Sequence, residues 1–304
     1  MLDLIIVGGG PGAVGAGVYA ARKKIKTLLI TDSFGGQSLV SADIQNWIGD
    51  KSITGLELAQ KLEEHLRAQE DIEISDNDRV NLVEKILGGF KVGTQKGKFY
   101  ETRTLLIASG SRRKRLGVLG EDKLDGKGVA YCSICDAPLF KNKIVAVVGG
   151  GNAGLEAGID LVPYASKIYM LLRGTTLRGD EISEEKLKKS GKVEIIFNAV
   201  IEEILGETFV SGLKYKDLIS GIVKEINLEG VFVEIGSLPN SDFMKDLVEL
   251  NKFGEITIDP RTQNSSVPGI WAVGDVSDVK YKQNNIAVGD GVKAILNIYE
   301  YLAK

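Results

Sequence analysis

A doubly wound α/β fold containing two βαβ units is the architecture this sequence predicts, and three observations carry the prediction. Glycine-rich loops at Gly8 and Gly149 each follow an apolar run and open an Ala- and Gly-rich stretch. The only two cysteines, Cys132 and Cys135, stand just ahead of the second loop. The length of 304 residues suits about two domains, at ~150 residues for each.

The first unit opens at residues 3–7, a continuous apolar run of the kind a parallel strand buried on both faces requires. Gly12 to Lys24, rich in Ala, Gly and Val, reads as a close-packed helix, and Lys26–Thr31 as the second strand. Residues 55–69 look helical, with Leu56, Leu58, Leu62 and Leu66 among charges. Ile72–Ile74, Val80–Ile86 and Phe90–Thr94 alternate like short strands, with Gly88-Gly89 as a hairpin signal, and Thr104–Ala108 is a further buried strand. The pattern then restarts. Lys143–Val148 is an apolar strand, Ala153–Leu161 a helix stopped by Pro163, and Lys167–Leu172 the next strand. Gly230–Ile235 and Ile256–Ile258 read as strands, and a closing helix is expected from about Val288 to Leu302.

Both loops have the chemistry of a pyrophosphate cradle. In Gly8-Gly-Gly10-Pro11-Gly12-Ala13, Gly8 allows the tight turn, Gly10 lets the backbone approach a phosphate, and Ala13 lets the helix pack closely. Asp32, 19 residues past Ala13, stands where a carboxylate accepts ribose hydroxyls. The second loop, Gly149-Gly-Gly151-Asn152-Ala153-Gly154, fits the same pattern. Its following strand ends in Leu172-Arg173-Gly174 with Arg178 beyond, and cations in that place favour a 2′-phosphate, hence NADPH over NADH. The competing readings are a plain glycine-rich turn for the loop, and for Arg173 and Arg178 mere exposure, which leaves NADPH and NADH undistinguished.

Composition removes several other classes. A formal net charge of −3 gives no sign of a nucleic-acid partner, and the basic run Arg112–Arg115 reads as a solvated connector. No apolar run approaches the ~20 residues that span a bilayer. The opening run has no basic segment and no cleavage site, so a cytoplasmic location is expected. There a Cys pair is more often redox-active, catalytic or metal-binding than structural. A closed zinc site wants four Cys or His ligands, and two Cys with the single histidine, His65, fall short. His65 lies on a charged helix and reads as a surface residue. A working thiol needs its pKa brought from ~8.5 toward neutrality, and disulfide exchange needs a proton donor for the departing sulfur. Asp136, adjoining Cys135, is the acid/base candidate, alongside its reading as a helix-capping residue.

These residues carry a resemblance that spans nearly the whole chain. The sequence resembles the low-molecular-weight thioredoxin reductases, which share their fold with the flavoprotein subunit of alkyl hydroperoxide reductase. Cys132-Ser-Ile-Cys135-Asp136 corresponds to that family's Cys-x-x-Cys-Asp signature, and Gly269-Ile-Trp-Ala-Val-Gly274-Asp275 looks like its second FAD motif. Phe34-Gly35-Gly36-Gln37 and Ile44-Gln-Asn46 look like its flavin-contacting segments, and Ala108-Ser109-Gly110 stands where the family has Ala-Thr-Gly. Lys282-Gln283-Asn284 matches the segment at the start of the final helix. The stretches 131–143, 220–221 and 281–295 look closer to the hydroperoxide-reductase branch, whose extra N-terminal thioredoxin-like module has no counterpart here. The arginine motif departs from the family: Leu172, Arg173, Gly174 and Arg178 occupy the places of His-Arg-Arg and a further Arg.

The resemblance implies two Rossmann-like, three-layer ββα domains, one inserted in the other. An FAD domain is expected at 1–111 and 241–304, and an NAD(P)H domain carrying the Cys pair at 112–240. Val80, Glu156 and Gly236 join the expected cofactor contacts. It also implies a homodimer with rotation between domains, and electron flow from NADPH (or NADH) through FAD to the Cys132–Cys135 disulfide. The acceptor would be a separate thioredoxin-like or peroxiredoxin-type protein. Cys135 would be the flavin-proximal thiol, Cys132 the nucleophile and Asp136 the proton carrier. Rival readings are a ferredoxin-fed reductase of the same fold, a small-molecule dithiol oxidase, and a nucleotide-binding redox sensor that does not turn over.

Overall fold

The computed structural model describes residues 1–41 and 44–304. The chain divides into two compact units: Met1–Leu39, Trp47–Arg112 and Leu238–Lys304 form the first, and Val40–Asn46 with Arg113–Ser237 form the second.

The first unit is built on strands β1 (Leu2–Val7), β2 (Thr27–Ile30), β3 (Ile72–Ser75), β4 (Val80–Ile86), β5 (Gly89–Thr94) and β6 (Phe99–Ile107), ordered 3-2-1-6-5-4. β3, β2, β1 and β6 run parallel. The expected hairpin forms: Ile86 pairs with Gly89, so Leu87-Gly88 makes a two-residue turn with Gly88 at φ +82. β6 is long enough to serve two partners along one edge. Its first half pairs antiparallel with β5, and Leu105–Ile107 pairs parallel with a short strand at Ile270–Ala272. One face of this sheet packs Leu4, Ile6, Leu29 and Leu106 against Ala13, Val14, Ala294, Ile295 and Ile298 from the first and last helices. These helices, Pro11–Arg22 and Asn284–Leu302, pack so closely that a Cβ on Gly291 would fall 2.3 Å from the Gly12 carbonyl oxygen. The last helix begins four residues before the expected Val288, at Asn284, because tertiary contact overrides the weak propensity of its Asn- and Gly-rich first turns. Ile256–Ile258 forms no strand; Ile256 is held by isolated bridges to Leu250 and Ser277.

The second unit has a five-stranded parallel sheet ordered Val193–Ile196, Lys167–Leu171, Ile144–Val148, Gly230–Val233, Val129–Ala130. Ala199–Gly206, Val210–Asp217 and Val223–Asn227 form a separate antiparallel sheet. Helix Asn152–Leu161 ends before Pro163, as the sequence requires. The chain leaves and re-enters the first unit through Ser111–Arg113 and Ser237–Pro239, which pair with each other. Among the described residues no helix is long and apolar enough to cross a membrane.

Candidate active site

The first glycine loop joins β1 to the helix Pro11–Arg22. Gly8 sits at φ +127, and a Cβ there would lie 2.2 Å from the Ala108 carbonyl oxygen, so the turn tolerates only glycine. Gly10, the helix N-cap, has nothing within 4 Å of its Cβ position. The loop therefore offers open space at the helix N-terminus, where backbone N–H groups and the helix dipole favour an anion. Pro11, Gly12 and Ala13 are buried in the first turn. Asp32 lies two residues past β2, exposed, with Arg79 Nη2 3.1 Å from its carboxylate.

Other expected residues of this unit collect nearby in sequence-distant segments. Gln37 Nε2 donates to Asp275 Oδ2 and to Ser111 Oγ, both at 3.0 Å. Asn284 Nδ2 donates to Ser38 Oγ at 2.9 Å. Gly36, at φ +57, has its Cβ direction toward the Gly10 Cα, which also brings Gly35-Gly36 to the first loop. Lys282 pairs with Glu255 at 3.0 Å and donates to the Ser277 carbonyl, just beyond Gly274-Asp275, while Gln283 caps the last helix. Ser109 Oγ donates to the Asn240 carbonyl at 2.7 Å, and Asn240 Nδ2 returns a bond to Ser109 O at 2.8 Å, fixing Ser109-Gly110. The Val80 side chain is buried in the core on the opposite sheet face, leaving its backbone as the available contact. Asn46 belongs to the short segment grouped with the second unit.

The second loop repeats the cradle. Gly149 (φ +135) would place a Cβ 2.2 Å from Glu234 O, and Gly154 one at 2.3 Å from Gly149 O. Gly151 again has open space around it as the N-cap of Asn152–Leu161. Arg178 N–H donates to Gly150 O at 2.7 Å, so a cation is anchored at the loop by its own backbone. Arg173 and Arg178 are exposed. Leu172 does not point outward: its Cδ2 would be 2.0 Å from a Cβ on Gly150, and it fills the core under the loop. Asn152 Oδ1 accepts from Asp180 N–H at 3.0 Å, Ala153 and Glu156 are exposed along the helix, and Gly236 sits at φ +100 beside the Lys114 side chain.

The cysteines are bonded to each other, with Cα atoms 5.3 Å apart. Cys132 is the N-cap of a single turn, Ser133–Asp136, and Asp136 N–H donates to Cys132 O at 3.0 Å. Both cysteines and Asp136 are half-buried, while Ile134 between them is exposed. Burial pushes the Asp136 carboxyl up to about 6, against the opposing pull of Arg113. The turn is held from two sides. Ser133 Oγ donates to Asp160 Oδ2 at 2.7 Å. On the other side Tyr131, which precedes Cys132, donates its hydroxyl to Glu121 Oε1 at 2.8 Å. Glu121 is 1 % exposed and also accepts from the backbone N–H groups of Leu116 (2.9 Å) and Gly117 (2.8 Å). Arg115 lies 5.2 Å from the Tyr131 ring centre, donates to its hydroxyl at 3.2 Å, and pairs with Asp122 and Asp125.

Sequence reasoning missed this Glu121–Tyr131 brace and the half-buried Glu234. Neither has a local signal, because the burial that gives them importance arises from residues far along the chain.

A profile of the pyridine nucleotide-disulphide oxidoreductase family matches residues 2–291. The chain is 42% identical over 302 residues to the F subunit of alkyl hydroperoxide reductase in Staphylococcus aureus (strain MRSA252), covering 99% of this chain and 59% of that protein. It thus spans about three-fifths of the curated relatives it matches. The thioredoxin reductase of Streptococcus pyogenes has the same fold, with a TM-score of 0.92, 34% identity, and coverage of 100% of this chain and 98% of that one. The thioredoxin reductase of Giardia duodenalis matches with a TM-score of 0.92, 30% identity, and coverage of 100% and 99%. The chain belongs to the pyridine nucleotide-disulphide oxidoreductases, as a thioredoxin-reductase-like flavoprotein related to the alkyl hydroperoxide reductase branch.

Proposed function

We propose that the protein is a thioredoxin-disulfide reductase. It takes electrons from NADPH and delivers them through FAD and the Cys132–Cys135 disulfide to a separate thioredoxin-like or peroxiredoxin-type protein. The observation that carries the reading is the bonded pair beside a half-buried acid, on the chain segment that leads into a second open glycine cradle.

The two cradles fit the two nucleotides. Gly8, Gly10, Pro11, Gly12 and Ala13 would hold the FAD pyrophosphate, with Asp32 on its ribose. Gln37, Asp275, Ser109, Gly110, Lys282 and Asn284 would line the rest of that site, and Gly149, Gly151 and Gly154 would receive NADPH. When bound, these cofactors supply hydride transfer and two-electron reduction of the disulfide. Arg173 and Arg178 have no ion-pair partner among the described residues and are free for a 2′-phosphate, which supports NADPH over NADH.

The chain's own chemistry is disulfide exchange. Cys132, at the start of the turn, attacks the partner disulfide as thiolate, and Cys135 resolves the mixed disulfide. Asp136, held near neutrality, carries the proton that the departing sulfur takes. A soluble, cytoplasmic homodimer completes the reading, in line with the compartment where such pairs cycle.

The test is anaerobic reduction of the bound flavin by NADPH, NADH or reduced ferredoxin, followed by addition of oxidised thioredoxin. Rapid bleaching by NADPH and reoxidation by thioredoxin is expected. In Cys132→Ser the bleaching should persist and the transfer to thioredoxin should vanish. Retained thioredoxin reduction in that variant overturns the assignment.

A further inference from the structure

Ser133, between the two cysteines, is turned inward: it is 8 % exposed, while its neighbour Ile134 is 58 % exposed. Its hydroxyl donates to Asp160 Oδ2 at 2.7 Å. Asp160 lies in the last turn of the helix Asn152–Leu161, where the helix dipole disfavours a carboxylate, and that turn carries no basic side chain. Lys192 serves the chain just beyond, donating to the carbonyls of Val162 at 2.8 Å and Ala165 at 2.9 Å. An acid kept at the unfavourable end of a helix points to a use for it, and here it receives the Ser133 hydroxyl.

The helix that carries Asp160 is firmly seated. Leu155, Ala157 and Leu161 are fully buried, and Ala137 and Phe140, which follow the cysteine turn, share their cluster. The cysteine turn is not self-supporting. It is the single turn Ser133–Asp136, closed by Asp136 N–H to Cys132 O at 3.0 Å and by Ala137 N–H to Ser133 O. One turn fixes several backbone dihedrals for very few bonds and does not persist unaided.

The disulfide holds Cys132 and Cys135 together at all times, so in the oxidised protein the Ser133–Asp160 bond stays formed. The dithiol lets the turn fray and that bond break for part of the time. A bond formed more fully in one state shifts the equilibrium toward that state.

We propose that Ser133 and Asp160 are positioning residues that set the reducing power of the Cys132–Cys135 pair. Their hydrogen bond stabilises the disulfide and so makes the dithiol the stronger electron donor. This rests on the disulfide-exchange reading.

The test is an anaerobic titration of the holoprotein in mixtures of reduced and oxidised dithiothreitol, with the open pair counted by alkylation and mass. The small dithiol closes to its cyclic disulfide, giving up two electrons and two protons, and the Cys132–Cys135 bond takes them up as it opens to two thiols. In Ser133→Ala the equilibrium should move toward the dithiol by about tenfold, which is about 30 mV. Asp160→Ala removes the same bond from a half-buried position and should give the same shift, so the measurement stands even if the Ser133 site rejects alanine. The double variant should match either single one, because one bond is lost in all three. Asp160→Asn keeps an acceptor and should restore most of the wild-type equilibrium. A midpoint within twofold of wild type in Ser133→Ala and Asp160→Ala, whatever happens to their melting temperatures, makes the bond merely structural and overturns the proposal. Additive shifts in the double variant, or a shift in Asp160→Asn as large as in Asp160→Ala, overturn the hydrogen bond as the cause. A wild-type pair that dithiothreitol opens but that passes nothing to thioredoxin disulfide overturns the exchange reading instead.

Discussion

Replacing Tyr131 by Phe removes one hydroxyl from the brace beside Cys132 while leaving the ring in its hydrophobic cluster. The lost bond, 2.8 Å to Glu121 Oε1, is a hydrogen bond to a buried carboxylate. Such bonds contribute about 1.5–3 kcal/mol. Glu121 keeps its two backbone donors, so the carboxylate is not stranded and the loss should stay near 2 kcal/mol. At 1.4 kcal/mol per factor of ten, this lowers hydrogen-exchange protection in the second unit about 30-fold. The strands Ile144–Val148 and Gly230–Val233 are the reporters. The first unit is the internal control, because both tryptophans, Trp47 and Trp271, lie in it. Tryptophan fluorescence during urea unfolding should therefore keep its wild-type midpoint. Protection within a factor of two of wild type in the reporter strands would refute the claim that Glu121 braces the cysteine segment through Tyr131.

Other perturbations separate fold from chemistry. Gly10→Ala and Gly151→Ala place a methyl into open space at ordinary φ, so melting should change little, while FAD retention falls in the first and NADPH affinity in the second, by roughly tenfold or more. Gly291→Ala drives a methyl into the Gly12 carbonyl and should cost about 1–3 kcal/mol, visible as a lower melting temperature. The folded-state pKa of Asp136 and Glu234 lies above the ordinary carboxylate range, so the folded state binds the extra protons and stability falls as pH rises from about 4 to about 7. Asp136→Asn and Glu234→Gln should accordingly stabilise the second unit at pH 8. They should give no such gain at pH 4, where the carboxyls are protonated, and urea midpoints at the two pH values check the sign.

The parts that could be read from sequence were those whose physics is local. A tight turn, a close backbone approach and a helix start all fall within a few residues, so both glycine cradles were legible. The helix Glu181–Lys189 was not, because Leu187 is its one buried residue and no apolar stripe forms. Its signals are the Asp180 side chain accepting from Ser183 N–H and the pairs Glu184–Lys188 and Glu185–Lys189. The three-stranded sheet over 199–227 was hidden by register shifts between Ile201 and Glu203 and between Leu205 and Gly206, which break the alternation that marks a strand. Cys132, Cys135 and Asp136 could be named from their spacing, but Glu121 and Glu234 gain their character from burial among distant residues.

The sharing of β6 between two strands has a consequence for synthesis. Its partner Ile270 is 165 positions from Leu105, and nearly all of the second unit is encoded between them. As the chain emerges, residues 113–237 are available as a nearly continuous folding unit while the first sheet still lacks an edge. Once folded, the insert brings its paired ends Ser111–Arg113 and Ser237–Pro239 together, replacing a long flexible loop with a short span. The later-made segment Leu238–Lys304 then supplies both the missing strand and the helix that covers it. Chains arrested before about residue 270 should therefore hold a protease-resistant core from the second unit and leave Leu105–Ile107 open to cleavage.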